Sequence, residues 1–169
     1  MTDRRIAHTF DCSAEDYWDK LFFDDEYNRE LFLGRLRFEV WKVVSQDQDD
    51  RQIRRGIEAV PPMPDLPSVL KKVVKDGLGY RETGIFDRST RRYELSVATK
   101  SLPGRVTITG VTTTEPIDDK HCSRVHLAHV HANVRLVGGM LETRLLDDMD
   151  KSYAKAAEFS NRWIEQRGL

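Results

Sequence analysis

Four histidines fall within residues 121–131: His121, His126, His129 and His131. Histidine is the commonest zinc ligand and the usual proton carrier near neutral pH, so the group invites a metal or acid-base reading. The segment around it, SRVHLAHVHANVRLV, alternates like a strand, which sends His129 and His131 to one face and His126 to the other. Three such imidazoles do not converge, and no carboxylate at matching spacing completes a tetrahedral set, so we expect no metal and a polar outer face carrying His129 and His131. His126 shares the presumed inner face with Ala128 and Val130, and His8 shares one with Ile6 and Phe10. Two charges also interrupt apolar strand faces, Arg55 between Ile53 and Ile57 and Glu82 between Tyr80 and Phe86. A lone charge is costly to bury, so if these face inward they must be paired or must meet the polar head of a ligand. The alternative is that bulges or strand ends place them in water. No nucleophile, base and orienting acid stand together in a motif, and no catalytic residue or cofactor is assigned.

The elements that would position these groups follow from periodicity. Ile6 to Cys12 read as a first strand, and Ser13 followed by Asp16 as the cap of a short helix carrying Tyr17, Trp18, Leu21 and Phe22. A second short helix holds Tyr27, Leu31 and Phe32, with Gly34 expected as its left-handed C-terminal cap. RFEVWKVVS and RQIRRGIEAV form a hairpin across QDQDD, and GYRETGIFDR, RRYELSVATK and RVTITGVTTTE extend a meander. EPIDDKH reads as a polar loop before the last strand, whose inner face carries Ala128, Val130, Ala132, Val134 and Leu136. After Gly138-Gly139 one long helix places Met140, Leu141, Leu145, Met149, Ala156, Phe159 and Trp163 on a stripe. Tyr153, on the same helix, is expected in the core first and on a cavity wall second. The proline-rich opening of residues 61–79 leads into a candidate lid with Leu66, Val69, Leu70 and Val73 on one side and lysines on the other. That segment is open to three readings: packed core, mobile gate, or a helix that touches a membrane transiently.

Composition narrows the partners. Lys and Arg number 27 against 28 Asp and Glu, a net charge of -1 that gives no footprint for nucleic acid. A hydrophobic fraction of 39% with 33% charged residues suits an ordered protein. The length suits one domain over residues 1–169. MTDRRIAHTFDCSAEDYW has no apolar run of signal-peptide type, which together with two isolated cysteines, Cys12 and Cys122, gives an expectation of a cytoplasmic protein with reduced thiols.

Strand, two short helices, antiparallel meander and long terminal helix make an α+β order with one economical packing, a curved antiparallel sheet wrapped around the last helix. In that order, and in FDCSAEDYWDKLFFDDEYNRELF and RLVGGMLETRLLDDMDKSYAKAAEFSNRWI, the chain resembles the START-like superfamily (SRPBCC, helix-grip fold) over nearly its whole length. It is similar to bacterial lipid-binding-like members, including an uncharacterised family, and to VASt-type sterol-binding domains. The resemblance implies a cavity between sheet and helix that binds a lipid, sterol or other hydrophobic small molecule, for transport or sensing. Its expected lining is Val40, Arg55, Ile57, Tyr80, Glu82, Phe86, Tyr93, Leu95, Val97, Ile108, His126, Val130, Leu145, Met149 and Phe159. Two alternatives stay open: an enzyme of the polyketide cyclase or aromatase kind using His126 or Glu82 for proton transfer, and a protein-interaction module. No membrane-anchoring segment accompanies the resemblance.

Overall fold

The structure, a computed structural model, describes all 169 residues. Strand β1 (Thr2–Phe10) is followed by two short helices, α1 (Ala14–Asp16) and α2 (Asp25–Arg29), each widening into a π-helical turn, Tyr17–Phe22 and Glu30–Arg35. Strands β2 (Val40–Gln48), β3 (Gln52–Val60), β4 (Tyr80–Asp87), β5 (Arg92–Thr99), β6 (Val106–Asp118) and β7 (His121–Ala132) follow, with α3 (Ser68–Val73) between β3 and β4. Helix α4 (Gly138–Arg167) ends the chain. The strands form one antiparallel sheet in the order β1-β7-β6-β5-β4-β3-β2. Consecutive strands β2 to β7 are neighbours, and β1 closes against β7 with Ile6 opposite His126 and His8 opposite Arg124.

The short helices start where their caps place them. Ser13 Oγ accepts from the Asp16 amide at 3.0 Å, and Asp24 Oδ2 accepts from the Tyr27 amide at 2.8 Å. Their rings then build one end of the core: Phe10, Tyr17, Trp18, Leu21, Tyr27 and Leu31 pack with Phe86, Tyr93, Trp163 and Ile164. At the other end Leu66, Leu70 and Val74 pack with Val106, Ala132, Val137 and Leu141. The segment over residues 61–79 is therefore packed core in this structure, held by alternate buried leucines. Val69 is a correction, since it lies 40% exposed on the opposite side of α3.

Three other expectations change. Gly34 does not adopt the left-handed conformation; the helix runs on through a π-helical turn and Arg37 takes the positive φ, 61°. EPID is not loop but the end of β6, because β7 begins at His121 and supplies ladder partners that outweigh the weak local propensity. Pro116 is tolerated there at an irregularity in register between Pro116 and Asp118. Conversely β7 stops at Ala132, so Val134 and Leu136 leave the inner face, Leu136 being 95% exposed. The stop is set by Gly138: a Cβ there would sit 2.3 Å from the Ala132 carbonyl oxygen, so only glycine lets α4 begin this close to the strand it leaves.

Candidate functional site

Helix α4 packs chiefly on β1, β7 and the Glu30–Arg35 turn, rather than on β3, β4 and β5. Helix α4 meets the sheet's inner face through a third, small apolar cluster, Ala128, Val130 and Leu146. Strand register fixes what faces it. Ile57, Glu82, Val97, Ile108 and Val130 form one cross-strand row; Arg55, Gly84, Leu95, Gly110 and Ala128 form the next; Ile53, Phe86, Tyr93, Thr112 and His126 form a third. Tyr80, Glu82, Leu95, Val97 and Ile108 from the sheet, and Leu145, Met149, Tyr153 and Phe159 from α4, point inward yet keep part of their surface accessible. Leu95 and Phe159 pack against the aromatic cluster, and Ile108, Leu145 and Met149 against Ala128, Val130 and Leu146.

The middle row is nearly bare, and the third row leans into the space. Tyr93 lies across Gly84, where a Cβ would come within 1.8 Å of its hydroxyl, and His126 lies across Gly110, where a Cβ would come within 2.5 Å of Cε1. This lets Tyr93 Oη reach over β4 and donate to Glu82 Oε1 at 2.8 Å. Burial pushes the Glu82 carboxyl above its ordinary range, while Arg55 and the Tyr93 bond draw it back. Burial also pushes the hydroxyls of Tyr80, Tyr93 and Tyr153 up, so all three stay phenols.

Arg55 is 5% exposed. Its Nη1 donates to the Phe22 carbonyl at 3.3 Å, its Nε has no partner, and its guanidinium lies 4.7, 5.0 and 5.6 Å from the ring centres of Phe22, Phe23 and Tyr93. Arg124, equally buried, donates to His8 Nδ1 at 3.2 Å and to the Tyr153 carbonyl at 3.4 Å, between the rings of Phe10 and Tyr153. No carboxylate lies within 4.0 Å of either guanidinium. His126 is hydrogen-bonded through Nδ1 to Thr112 Oγ1 at 2.8 Å, with Tyr153 stacked 4.8 Å away. Burial, then the Arg124 charge, lowers its pKa to about 4, so at neutral pH it is an uncharged imidazole. His8 is lowered by the same two causes.

The expected lining residues separate into groups. Ile57, Phe86, Tyr93, Val130, Arg55 and His126 are buried, while Tyr80, Glu82, Leu95, Val97, Ile108, Leu145, Met149 and Phe159 are half-buried. Val40 is a correction. It pairs with Val60 on the outer face and is 36% exposed, while Trp41 and Val43 take the inner positions, because the hairpin register differs by one residue from the alternation of the apolar run. Sequence reasoning missed Arg124 and Thr112, and saw Tyr153 as packing. Arg124 was legible in principle, since Cys122, Arg124 and His126 share a period-two face. His129 and His131 lie outside, beside Asp3 and Glu142 respectively, turned away from His126. A broad depression of about 620 Å³ also lies on the outer face, lined in part by Asp3, Arg5, Glu94, Thr109, Leu127 and His129. It is open to solvent, and Arg55 and Arg124 are not among its lining residues.

This architecture, a seven-stranded antiparallel sheet closed by a long terminal helix with short helices after β1, is the helix-grip (SRPBCC) fold. Within it, the chain belongs to the family described as Protein of unknown function (DUF2505), which matches residues 5–164. Among solved structures it is similar to the Zhui aromatase/cyclase from Streptomyces sp. R1128, with a TM-score of 0.67 and 11% identity over 99% of this chain and 97% of that one. It is similar also to norcoclaurine synthase from Thalictrum flavum, at 0.62 and 13% over 98% and 88%. A conserved protein from Geobacillus kaustophilus aligns at 0.60 and 16% over 98% and 96%. At such identities the likeness is one of fold. No match was found among curated proteins. No helix is long and apolar enough to cross a membrane.

Proposed function

We propose that residues 1–169 act as one domain that binds a hydrophobic small molecule in the cleft between α4 and the inner face of β4–β6. The observation that carries this reading is the lining itself: Leu95, Val97, Ile108, Leu145, Met149 and Phe159 face inward and remain accessible, with a few polar groups at one flank. Apolar walls supply affinity by burial, at about 25 cal/mol per Å² removed from water, and the polar flank orients the ligand. A lipid, sterol or comparable molecule suits such walls. Norcoclaurine synthase, which shares the fold, is described in complex with dopamine and hydroxybenzaldehyde, which supports the reading without naming the ligand here. The lid leucines are committed to the core, which favours entry by local opening over a membrane-inserting helix.

The test is native mass spectrometry of the protein purified from its own host, followed by organic extraction. A stoichiometric hydrophobic compound is the expected result; a clean apo mass that persists after incubation with lipid vesicles would refute it. A second reading, an enzyme of the cyclase kind, draws on Glu82 and His126 being displaced in opposite senses, Glu82 upward and His126 downward. Returning the extracted compound to fresh protein separates the two: recovery at unchanged mass supports carriage, and a changed mass or isomer supports catalysis.

A further inference from the structure

The inner face of the sheet holds more positive charge than it can neutralise. Arg55 and Arg124 are each 5% exposed, and neither has a carboxylate within 4.0 Å. The only acidic group on the cleft wall is Glu82, bound to Tyr93 rather than to a guanidinium. Even with Glu82 ionised, two guanidinium charges face one carboxylate. His8 and His126 add no negative charge, and Asp150, the acid nearest His8, is engaged with Arg4.

The two arginines are not equivalent. Arg124 is held between Phe10 and Tyr153 and donates through Nη2 both to His8 and to a helix carbonyl, although like Arg55 it leaves Nε without a partner. Arg55 has five N–H groups and one hydrogen-bond acceptor, the Phe22 carbonyl at 3.3 Å. Three aromatic faces hold it in place and favour its charge, but a ring face accepts no in-plane hydrogen bond, and Nε is left without a partner. It stands in the cross-strand row of Gly84, Leu95 and Gly110, the row with the least side-chain bulk. A planar fork of unused donors beside an apolar hollow matches one ligand group well, a carboxylate.

We propose that the ligand is an apolar carboxylic acid, its carboxylate taken by Arg55 and its pose set by the Tyr93–Glu82 pair, with the apolar body along Leu95, Val97 and Ile108. The assignment rests on the binding function proposed above and adds the charge and chemical class of the head group. Tyr93 is a positioning residue: its ring lies 5.6 Å from the Arg55 guanidinium while its hydroxyl donates to Glu82.

The test is isothermal titration of the full chain with three probes of one chain length: dodecanoate, dodecan-1-ol and dodecylamine. Dodecanoate is expected to bind at least about tenfold more tightly than the alcohol, and the amine least tightly. In Arg55→Gln the preference for dodecanoate over dodecan-1-ol should vanish while the affinity for the alcohol stays within about twofold. The wild-type comparison needs no variant and stands even if Arg55→Gln does not fold. Equal binding of acid and alcohol, a preference for the amine, or an acid preference that survives Arg55→Gln and is lost in Arg124→Gln, overturns the carboxylate assignment and leaves the hydrophobic-binding function standing. Failure of all three probes, with an apo mass from the native host, overturns both.

Discussion

At the scale of single residues, the interior of this protein is defined by polar groups that an apolar core would exclude. His126 has the clearest consequence for pH. Its folded pKa near 4 lies below the ordinary 6.5, so between those values the unfolded chain takes up a proton that the folded chain refuses. Stability is therefore lost as pH falls through that window, by up to about 3 kcal/mol from this group. Denaturant titrations at pH 7 and pH 4.5 should show the loss, and His126→Gln should reduce it. Glu82 has the opposite slope. Its raised folded pKa gives a contribution that is full in acid, below the unfolded value of 4.5, and is lost as pH rises through the folded value. Glu82→Gln should accordingly flatten the alkaline side of the profile and leave the acid side to His126. Gly84→Ala would place a methyl 1.8 Å from the Tyr93 hydroxyl, so Tyr93 must swing off Glu82. We expect a cost of about 1–3 kcal/mol, with Tyr93→Phe reproducing only the loss of the hydrogen bond.

At the scale of elements, the join of β1, β7 and α4 is the point that fixes the cleft's geometry. Glu142, on the first turns of α4, accepts from the Ala132 amide at 2.8 Å and from Thr2 Oγ1 at 2.7 Å, and pairs with the terminal ammonium of Met1 at 3.0 Å. The Ala132 bond, followed by that of Thr2, lowers its pKa to about 2. Its stabilising contribution is thus present above the unfolded carboxylate value and lost as pH falls toward 2. Glu142→Ala leaves the Ala132 amide unsatisfied and should destabilise by about 1–3 kcal/mol in urea unfolding at pH 7. Gly138→Ala acts at the same join by another route. The clash is with backbone, 2.3 Å from a carbonyl oxygen, so α4 itself must shift, and the melting temperature should fall more than for the neighbouring Gly139→Ala, where nothing lies within 4 Å. The element order and the long helix were legible in sequence because each rests on a local period. The end of β6 and the stop of β7 were not, because a strand's length is set by its partner: EPID is polar and proline-bearing yet pairs with β7.

At the scale of the whole molecule, the sheet is wider than the helix that covers it. Helix α4 protects β1 and β7, the aromatic helices protect one end, residues 61–79 protect the other, and between them inner side chains of β4–β6 such as Val97 keep part of their surface accessible. A hollow responds to added volume differently from a core. Val97→Phe should leave the melting temperature unchanged or raised and remove any co-purified ligand, whereas the same enlargement in a packed site costs about 1–3 kcal/mol. A large drop in stability with ligand retained would show that Val97 faces filled space.

Periodicity in the sequence sufficed for the elements and, with their order, for the fold class, and it put Arg55, Glu82, His8 and His126 on otherwise apolar faces while leaving open whether the two charges meet water, because alternation and helical spacing are properties of neighbouring residues. The same reasoning placed Val40 inside, where one residue of hairpin register turns it out, and set Val69 among the lid's buried residues. Only the tertiary structure decided that Tyr93 crosses Gly84 to reach Glu82, that Arg124 lies between Phe10 and Tyr153, and that Arg55 has rings around it but no carboxylate. Those relations join residues far apart in the chain. Their energies depend on which groups share a space closed to water, and no local pattern in the sequence carries that information.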